Sequence, residues 1–410
     1  MMIGLCMIHI NKKNMRIVFV NLHGNEFLVK TLNKIIFKQS VAIKHKYFLD
    51  YLLSREDVEV CSFINRRGLS LSYSTQNPLL QSFRFIEHKI TMRKNGIDCK
   101  KIKVLKNEND IQPNDILILY QFYKPQFEFV KRPQVMIANS MIHFGTSQAQ
   151  IMKELDVNVM FNESILSNYS KIFDKYYNWF KGDFILQPFV FAPRFKPIKS
   201  FNERKNKAVS VGTVTYMQNI TEVYGDPCAQ PARKQIKDNA SVLEPWVDCF
   251  NSDYLEDDKK VNSSNPVTKI FGRLYAKFFT GHQKAYYSFD MVEKFNDYKM
   301  CVVGEEIMGI PGVGFVEGMA SGCAYIGQTV GYYEDYGMIE GVHYIGYDGS
   351  LEDLKKKISY YQRPEHQEEL EKIAKTGCEF VRSNFNGPAS AEKLLNNLIE
   401  AQNRWKKNNG

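Results

Sequence analysis

The run Gly304-Glu-Glu-Ile-Met-Gly-Ile-Pro-Gly-Val-Gly-Phe-Val-Glu317-Gly-Met-Ala-Ser-Gly-Cys-Ala-Tyr-Ile-Gly327 gathers the residues best suited to chemistry. Pro311, Gly312 and Gly314 open a loop, and Phe315 to Ser321 then carries helical spacing. Such a turn leaves the backbone N–H groups of Gly312, Val313 and Gly314 at a helix N-terminus, where a diphosphate is held by dipoles. Glu317 falls in the first helical turns, placed to accept hydrogen bonds from a ribose 2′,3′-diol. Glu305 and Glu306 close the preceding apolar strand, and they either touch sugar hydroxyls or cap the loop. The combination suits a nucleotide diphosphate more than a metal ion or a nucleic acid.

These residues need a scaffold that presents loops at strand ends. Arg16 to Asn21, Val58 to Ile64, Ile116 to Tyr120, Gln134 to Ala138 and Val157 to Phe161 read as strands. Helical patterns fall near residues 26–53, 76–95, 145–154 and 163–173. Strand and helix therefore alternate, as in a doubly wound α/β domain. Lys207 to Val214 begins a second such domain with a strand and a turn at Gly212. Tyr298 to Val303 and Cys323 to Ile326 flank the glutamate-bearing helix as strands, and Gly341 to Tyr347 adds another. Residues 331–337 read as a loop whose Tyr332, Tyr333 and Asp335 either line a nucleotide or pack. Leu351 to Tyr361, Pro364 to Asn384 and Pro388 to Trp405 read as helices. Residues 217–268, rich in Asn, Asp and Pro, read as an insertion of loops and short helices.

Phe315-Val-Glu317-Gly-Met-Ala-Ser-Gly322, followed by a strand, resembles the C-terminal domain of GT-B glycosyltransferases of the group 1 or family 4 type. The segment Phe184 to Pro197, ending Arg-Phe-Lys-Pro, is similar to their interdomain segment. The resemblance implies two Rossmann-like doubly wound domains facing a central cleft. Residues 15–195 would form the acceptor domain and 207–385 the donor domain, with a linker near 193–206. Residues 386–410 would form a terminal helix packing back toward the first domain. The family pattern has another glutamate eight residues before Glu317, and this chain has Gly309 there. Tyr298-Lys-Met-Cys-Val-Val-Gly-Glu-Glu306 also resembles family 10 fucosyltransferases, which keeps Glu305 and Glu306 as candidates.

In the resembling enzymes the turn at Gly212 and Thr213 faces the donor diphosphate, with an arginine and a lysine just beyond. Here Thr213, Val214, Thr215 and Tyr216 follow, so the charge must come from elsewhere, with Arg233, Lys234 and Arg273 as candidates. His23, in the loop after the first strand, matches the place of a base in inverting members. His143, in a strand-exit loop, matches a histidine near the donor sugar in retaining members, and retention is favoured over inversion. Either histidine could instead be an ordinary hydrogen-bonded residue. Lys284 and Lys299 read as solvated charges or phosphate contacts. No Asp-x-Asp signature occurs in the chain, in keeping with a metal-independent reaction that needs no cofactor.

Composition bounds the rest. The 410 residues suffice for two domains, and 44% hydrophobic with 24% charged residues describes a folded chain. The eight cysteines are scattered without a Cys-x-x-Cys pair, which argues against a zinc site or disulfide framework and for a reducing, cytoplasmic setting. Cys301 and Cys323 read as buried small hydrophobes. No apolar run approaches the roughly 20 residues of a membrane span, and Met15 could be the natural start. Lysine and arginine exceed acidic residues by nine (54 − 45), which suits phosphate-bearing ligands. Residues 28–47 interleave lysines with Leu28, Leu32, Ile35, Ile36 and Phe37, as a solvated helix face or as a peripheral patch on an anionic inner leaflet.

The expected activity is transfer of a sugar from a UDP- or GDP-sugar to a glycan or lipid-linked acceptor, in surface polysaccharide, lipopolysaccharide or glycoconjugate assembly. A nucleotide-sugar epimerase of the same fold and a non-catalytic binding subunit are the alternatives. Nucleic acid is not an expected partner.

Overall fold

The computed structural model describes residues 15–36, 43–64, 78–119, 135–139, 146–187, 189–253 and 290–409. His143, Arg273 and Lys284 lie outside them. The chain divides into two compact units, residues 1–165 with 173–188 and 387–410, and residues 166–172 with 189–386.

The first unit is built on a seven-stranded sheet in the order β3-β2-β1-β4-β5-β6-β7. These are β1 (Met15–Val20), β2 (Val58–Phe63), β3 (Ile102–Leu105), β4 (Ile116–Leu119), β5 (Val135–Asn139), β6 (Val159–Asn162) and β7 (Asp183–Leu186). Every pairing is parallel. Parallel sheets are covered on both faces, which is why β1 and β4 are near-continuous apolar runs: Ile17, Val18, Phe19, Ile116, Leu117 and Ile118 are all buried. The Gly387–Asn409 helix belongs to this unit. Its Ala391, Leu394, Leu395, Leu398 and Ala401 recur at helical spacing and enter the same core as Phe48, Leu49 and Leu52.

The second unit carries a five-stranded parallel sheet in the order β12-β11-β10-β8-β9. Its strands are β8 (Lys205–Val214), β9 (Val247–Asp253), β10 (Tyr298–Val302), β11 (Ala324–Gln328) and β12 (Ile345–Tyr347). Met300, Val302, Ala324 and Ile326 pack beneath helical Leu354, Ile358, Leu370 and Ile373 to make its core. Both units are thus doubly wound.

The structure differs from the sequence reading in several elements. β3 and β7 are edge strands that the sequence does not announce. In β3 only the end residues Ile102 and Leu105 are deeply buried, with Lys103 exposed and Val104 half-buried between them. Residues 231–253, read as insertion, supply the Pro231–Asp238 helix and β9, an integral edge strand of the second sheet. The stretch 26–53 is two separate helices, Leu32–Ile36 and Lys46–Ser54, and residues 37–42 lie outside the described residues. Leu28 is buried rather than presented on a surface patch, and Lys46 pairs with Asp50 one turn on. The 331–337 loop contains a helical turn, Tyr332–Asp335. Cys301 and Cys323 are buried as expected. Among the described residues, no helix is long and apolar enough to cross a membrane.

Candidate functional site

In the second sheet β8 lies between β9 and β10, so the connection leaving β8 runs to one side, toward β9, and that leaving β10 to the other, toward β11. The carboxyl ends of β8 and β10 therefore form a topological switch point, the place where open α/β sheets leave a crevice for ligands. Gly212 and Thr213 close β8 on that edge, and Val303, Gly304, Glu305 and Glu306 follow β10 there.

Arg233, on the Pro231–Asp238 helix, joins these loops. It is buried, and its Nε donates to the Val303 carbonyl at 2.6 Å. Nη1 donates to the Thr213 carbonyl at 3.1 Å and Nη2 to that of Gly304 at 3.2 Å. The side chain lies directly on Gly212, Gly304 and Gly312, with no room for a methyl on Gly312 beside Nη2. A positive charge missing just after Gly212 in sequence is therefore present beside it in space. Lys234, its neighbour, points elsewhere and pairs with Asp238.

The Gly314–Ala320 helix carries Glu317. Gly314 and Gly318, one turn apart, let the helix press onto the strand: a methyl on Gly318 would lie 2.5 Å from Cys301 Sγ, and one on Gly314 2.9 Å from Val303 Cγ1. Phe315 anchors another side among Tyr325, Tyr333 and Tyr336, with ring centroids 5.4–6.0 Å away. At the far end Arg204 Nη2 donates to the Ser321 carbonyl at 2.8 Å and Arg382 Nη1 to that of Ala320 at 3.4 Å. Cations at a helix C-terminus complement its dipole.

Glu317 is left on the remaining side, partly buried. Its carboxylate accepts no hydrogen bond among the described residues, though the Ser321 Oγ donates to its backbone carbonyl at 2.9 Å. Burial pushes its carboxyl up to about 7, and the nearby Arg194 guanidinium opposes that rise. A partly buried carboxylate without a donor is suited to receive one from a ligand.

Glu305 and Glu306 are placed differently. Glu305 is buried, and its Oε1 accepts from Tyr333 Oη at 2.7 Å, Gln328 N at 2.9 Å and Tyr325 Oη at 3.1 Å. It ties the end of β10 to that of β11, while Oε2 is buried and has no hydrogen-bond partner among the described residues. Glu306 is partly buried, and its Oε1 accepts from Gln230 Nε2 at 3.3 Å. Gln230 in turn accepts from the Thr215 N–H at 2.8 Å, linking the loops after β8 and β10. Gly309 has φ of 81°, and a methyl there would lie 2.8 Å from the Tyr169 carbonyl oxygen. A glutamate like that of the resembling enzymes does not fit this backbone.

The described histidine candidate belongs to the first unit. His23 follows β1 but is fully buried; among the described residues neither ring nitrogen makes a hydrogen bond, though the Glu87 carboxylate lies 3.9 Å from Nε2. Its ring stands edge-on to His88 at 5.7 Å. Burial pushes its pKa down to about 3, and the charges of His88 and Arg84 act in the same direction. His23 is thus a neutral interior imidazole rather than the cleft-facing base of the sequence reading. Tyr332 and Tyr333 are core residues, whereas Asp335 is exposed and accepts from Tyr169 Oη at 2.6 Å. Lys299 is buried and donates to Gln367 Oε1 at 2.6 Å, so it is neither solvated nor a phosphate contact.

Three contributors escape the sequence reading. Gln230 and Tyr169 carry no local motif, and Arg382 belongs to a helix read only for its periodicity. Arg194 sits in the Arg-Phe-Lys-Pro segment already singled out, but its electrostatic link to Glu317 needs the fold.

No protein-family model matches the chain, and no curated protein matches it. Similar solved structures exist across nearly its full length. A sucrose-phosphate synthase from Thermosynechococcus elongatus superposes with a TM-score of 0.50 at 13% identity, covering 94% of this chain and 100% of that one. A glycosyltransferase from Rickettsia africae gives 0.49 at 11% identity over 95% and 98% of the two chains. HepE of Anabaena, solved with UDP and glucose, gives 0.46 at 10% identity over 94% and 100%. The chain has the GT-B fold. The family 10 resemblance is not confirmed by these likenesses.

Proposed function

We propose that the protein transfers a sugar from a nucleotide-sugar donor, UDP- or GDP-linked, to a glycan or lipid-linked acceptor in surface polysaccharide, lipopolysaccharide or glycoconjugate assembly. The observation that carries this reading is Glu317: a partly buried carboxylate that accepts no hydrogen bond among the described residues, on the helix that follows β10. In the proposed complex it accepts from the ribose diol. The fold alone supports many activities, so the weight falls on the site.

Glycosyl transfer builds positive charge on the sugar and negative charge on the departing diphosphate. The Arg233 guanidinium and the N–H groups of Gly312, Val313 and Gly314 are proposed to stabilise that leaving group. Gly212 and Thr213 bring the β8 turn to the same phosphates. Glu306, partly buried and held by Gln230, is proposed to meet the sugar, while Glu305 holds the strand ends in place. Burial of a neutral His23 favours retention over an inverting route through that imidazole. His143 and Arg273 keep their proposed roles near the donor sugar and diphosphate from the sequence alone. The basic stretch 28–47 is proposed to hold the protein at an anionic inner-leaflet surface, where a lipid-linked acceptor resides.

The test is release of nucleoside diphosphate from UDP-glucose and GDP-mannose, in the wild type and in Glu317→Ala. Turnover lost in the variant supports the assignment; turnover independent of Glu317 sinks it. A second reading, a non-catalytic nucleotide-sugar-binding subunit, draws on Gly309, where the backbone of Tyr169 leaves no space for the family's other glutamate. Donor binding without turnover would favour that reading.

A further inference from the structure

Gly309 stands eight residues before Glu317, where the resembling pattern has another glutamate, and in this chain Tyr169 comes up against it. Residues 166–172 belong to the second unit although their neighbours on both sides belong to the first. The backbone of Tyr169 abuts Gly309, and its ring stands edge-on to Tyr332 at 5.4 Å. The phenol packs on Gly331 and donates to Asp335 Oδ2 at 2.6 Å. Backbone, ring and hydroxyl are thus each fixed by a different contact.

Asp335 follows β11 and Gly309 follows β10, so the contact lies beyond the carboxyl ends of these strands, where the Glu317-bearing helix also begins. Asp335 is exposed, and its Oδ1 accepts no hydrogen bond among the described residues. Burial and the adjacent Asp335 carboxylate push the Tyr169 phenol up to about 12, so it keeps its proton at neutral pH. With the phenol proton already donated to Oδ2, the pair offers a hexose two fixed acceptors, the charged Asp335 Oδ1 and a remaining lone pair of the phenol oxygen.

We infer that Tyr169 and Asp335 together recognise the hydroxyls of the donor's sugar, in place of the glutamate that Gly309 excludes. The inference rests on the reading of Glu317 as the nucleotide anchor. It predicts a division of labour: Glu317 governs affinity for any nucleoside diphosphate, and the Tyr169–Asp335 pair governs the additional affinity for the attached sugar.

Tyr169→Phe keeps the ring packing and removes only the hydroxyl, and Asp335→Asn keeps the shape and removes the charge. Isothermal titration would compare UDP with UDP-glucose and GDP with GDP-mannose, on the wild type, these two variants and Glu317→Ala. The expected result is a loss of about tenfold in affinity for the nucleotide sugar in Asp335→Asn, from losing a hydrogen bond to a charged group, and of about fivefold in Tyr169→Phe, from losing a neutral one. Affinity for the free diphosphate should stay within about twofold, and Glu317→Ala should weaken both ligands alike. An unchanged ratio of sugar-linked to free diphosphate affinity in both variants would overturn the inference while leaving the Glu317 reading intact. Failure of the wild type to bind any of the four ligands would overturn both.

Discussion

Arg233 Nε donates to the carbonyl of Val303 at 2.6 Å, and so a buried cation on the helix after β8 holds the loop that leaves β10. The same guanidinium reaches the Thr213 and Gly304 carbonyls. Its fold role and its proposed charge role can be separated by substitution.

Arg233→Met removes the donors of all three carbonyls and should destabilise the protein by roughly 2–5 kcal/mol, since buried polar groups left unmade are costly. Arg233→Lys keeps a charge but loses the planar fork, and it should recover only part of the stability. Urea midpoints of the three proteins check this. A Met variant as stable as the wild type would contradict the strut described for Arg233.

The carboxyl of Glu317 gives a pH prediction with a definite sign. Its folded value of about 7 lies above the ordinary 4.5, because burial disfavours the charge. Between those values the folded state binds more protons than the unfolded state, so this group's contribution falls as pH rises from about 4.5 to 7 and is level above that. Glu317→Gln cannot titrate. Its stability relative to the wild type should therefore improve across that window, as read from urea midpoints at pH 5 and pH 8. A difference that stays constant between the two would contradict the raised value.

The same titration bears on ligand affinity. A carboxylate, but not a carboxylic acid, can accept from both hydroxyls of a ribose diol. Nucleotide-sugar affinity should therefore strengthen as pH rises through about 7 in the wild type and be flat in Glu317→Gln. Titration calorimetry across pH 6 to 8 checks it, and the nucleotide sugar is the right probe because its diphosphate carries no terminal group that titrates there.

How much of this was legible depends on whether the signal was local. The glutamate-bearing helix reads directly from Gly314-Phe-Val-Glu-Gly-Met-Ala because its glycines, its aromatic and its acid each occupy a different side of one short helix. The buried strands β1, β8 and β10 read from their predominantly apolar stretches, broken by residues such as Arg16, Ser210 and Lys299. β3 hides because an edge strand alternates lysine with apolar residues, and β9 because Asp248, Asn251 and Asp253 dilute its pattern. His23 looked like a site residue from its place after β1, but whether a strand-exit loop turns its imidazole inward is decided by packing against His88. The Tyr169–Asp335 bond joins residues 166 positions apart and has no trace in local spacing.

Gly309 offers a test of the local backbone. With φ of 81° and the Tyr169 carbonyl at 2.8 Å from any added methyl, Gly309→Ala should cost roughly 1–3 kcal/mol. Gly309→Glu should lose stability further rather than gain donor affinity. Improved nucleotide-sugar binding by Gly309→Glu would show that the space is available after all.

The terminal helix supplies core to the first unit, so Leu395→Ala should destabilise it by roughly 2–5 kcal/mol through the cavity it leaves. Donor binding by the second unit should survive that change. Hydrogen exchange resolves the two effects: faster exchange is expected in β1 and the Lys46–Ser54 helix, and unaltered protection there would contradict the packing described.

The most direct test of the account is calorimetric titration of the wild type and Glu317→Ala with UDP, GDP, CDP and ADP. The account predicts that one of these nucleotides binds the wild type and loses at least about tenfold in affinity in the variant, with cooperative unfolding of the variant preserved. Binding of none of the four, or equal binding by both proteins, would contradict it.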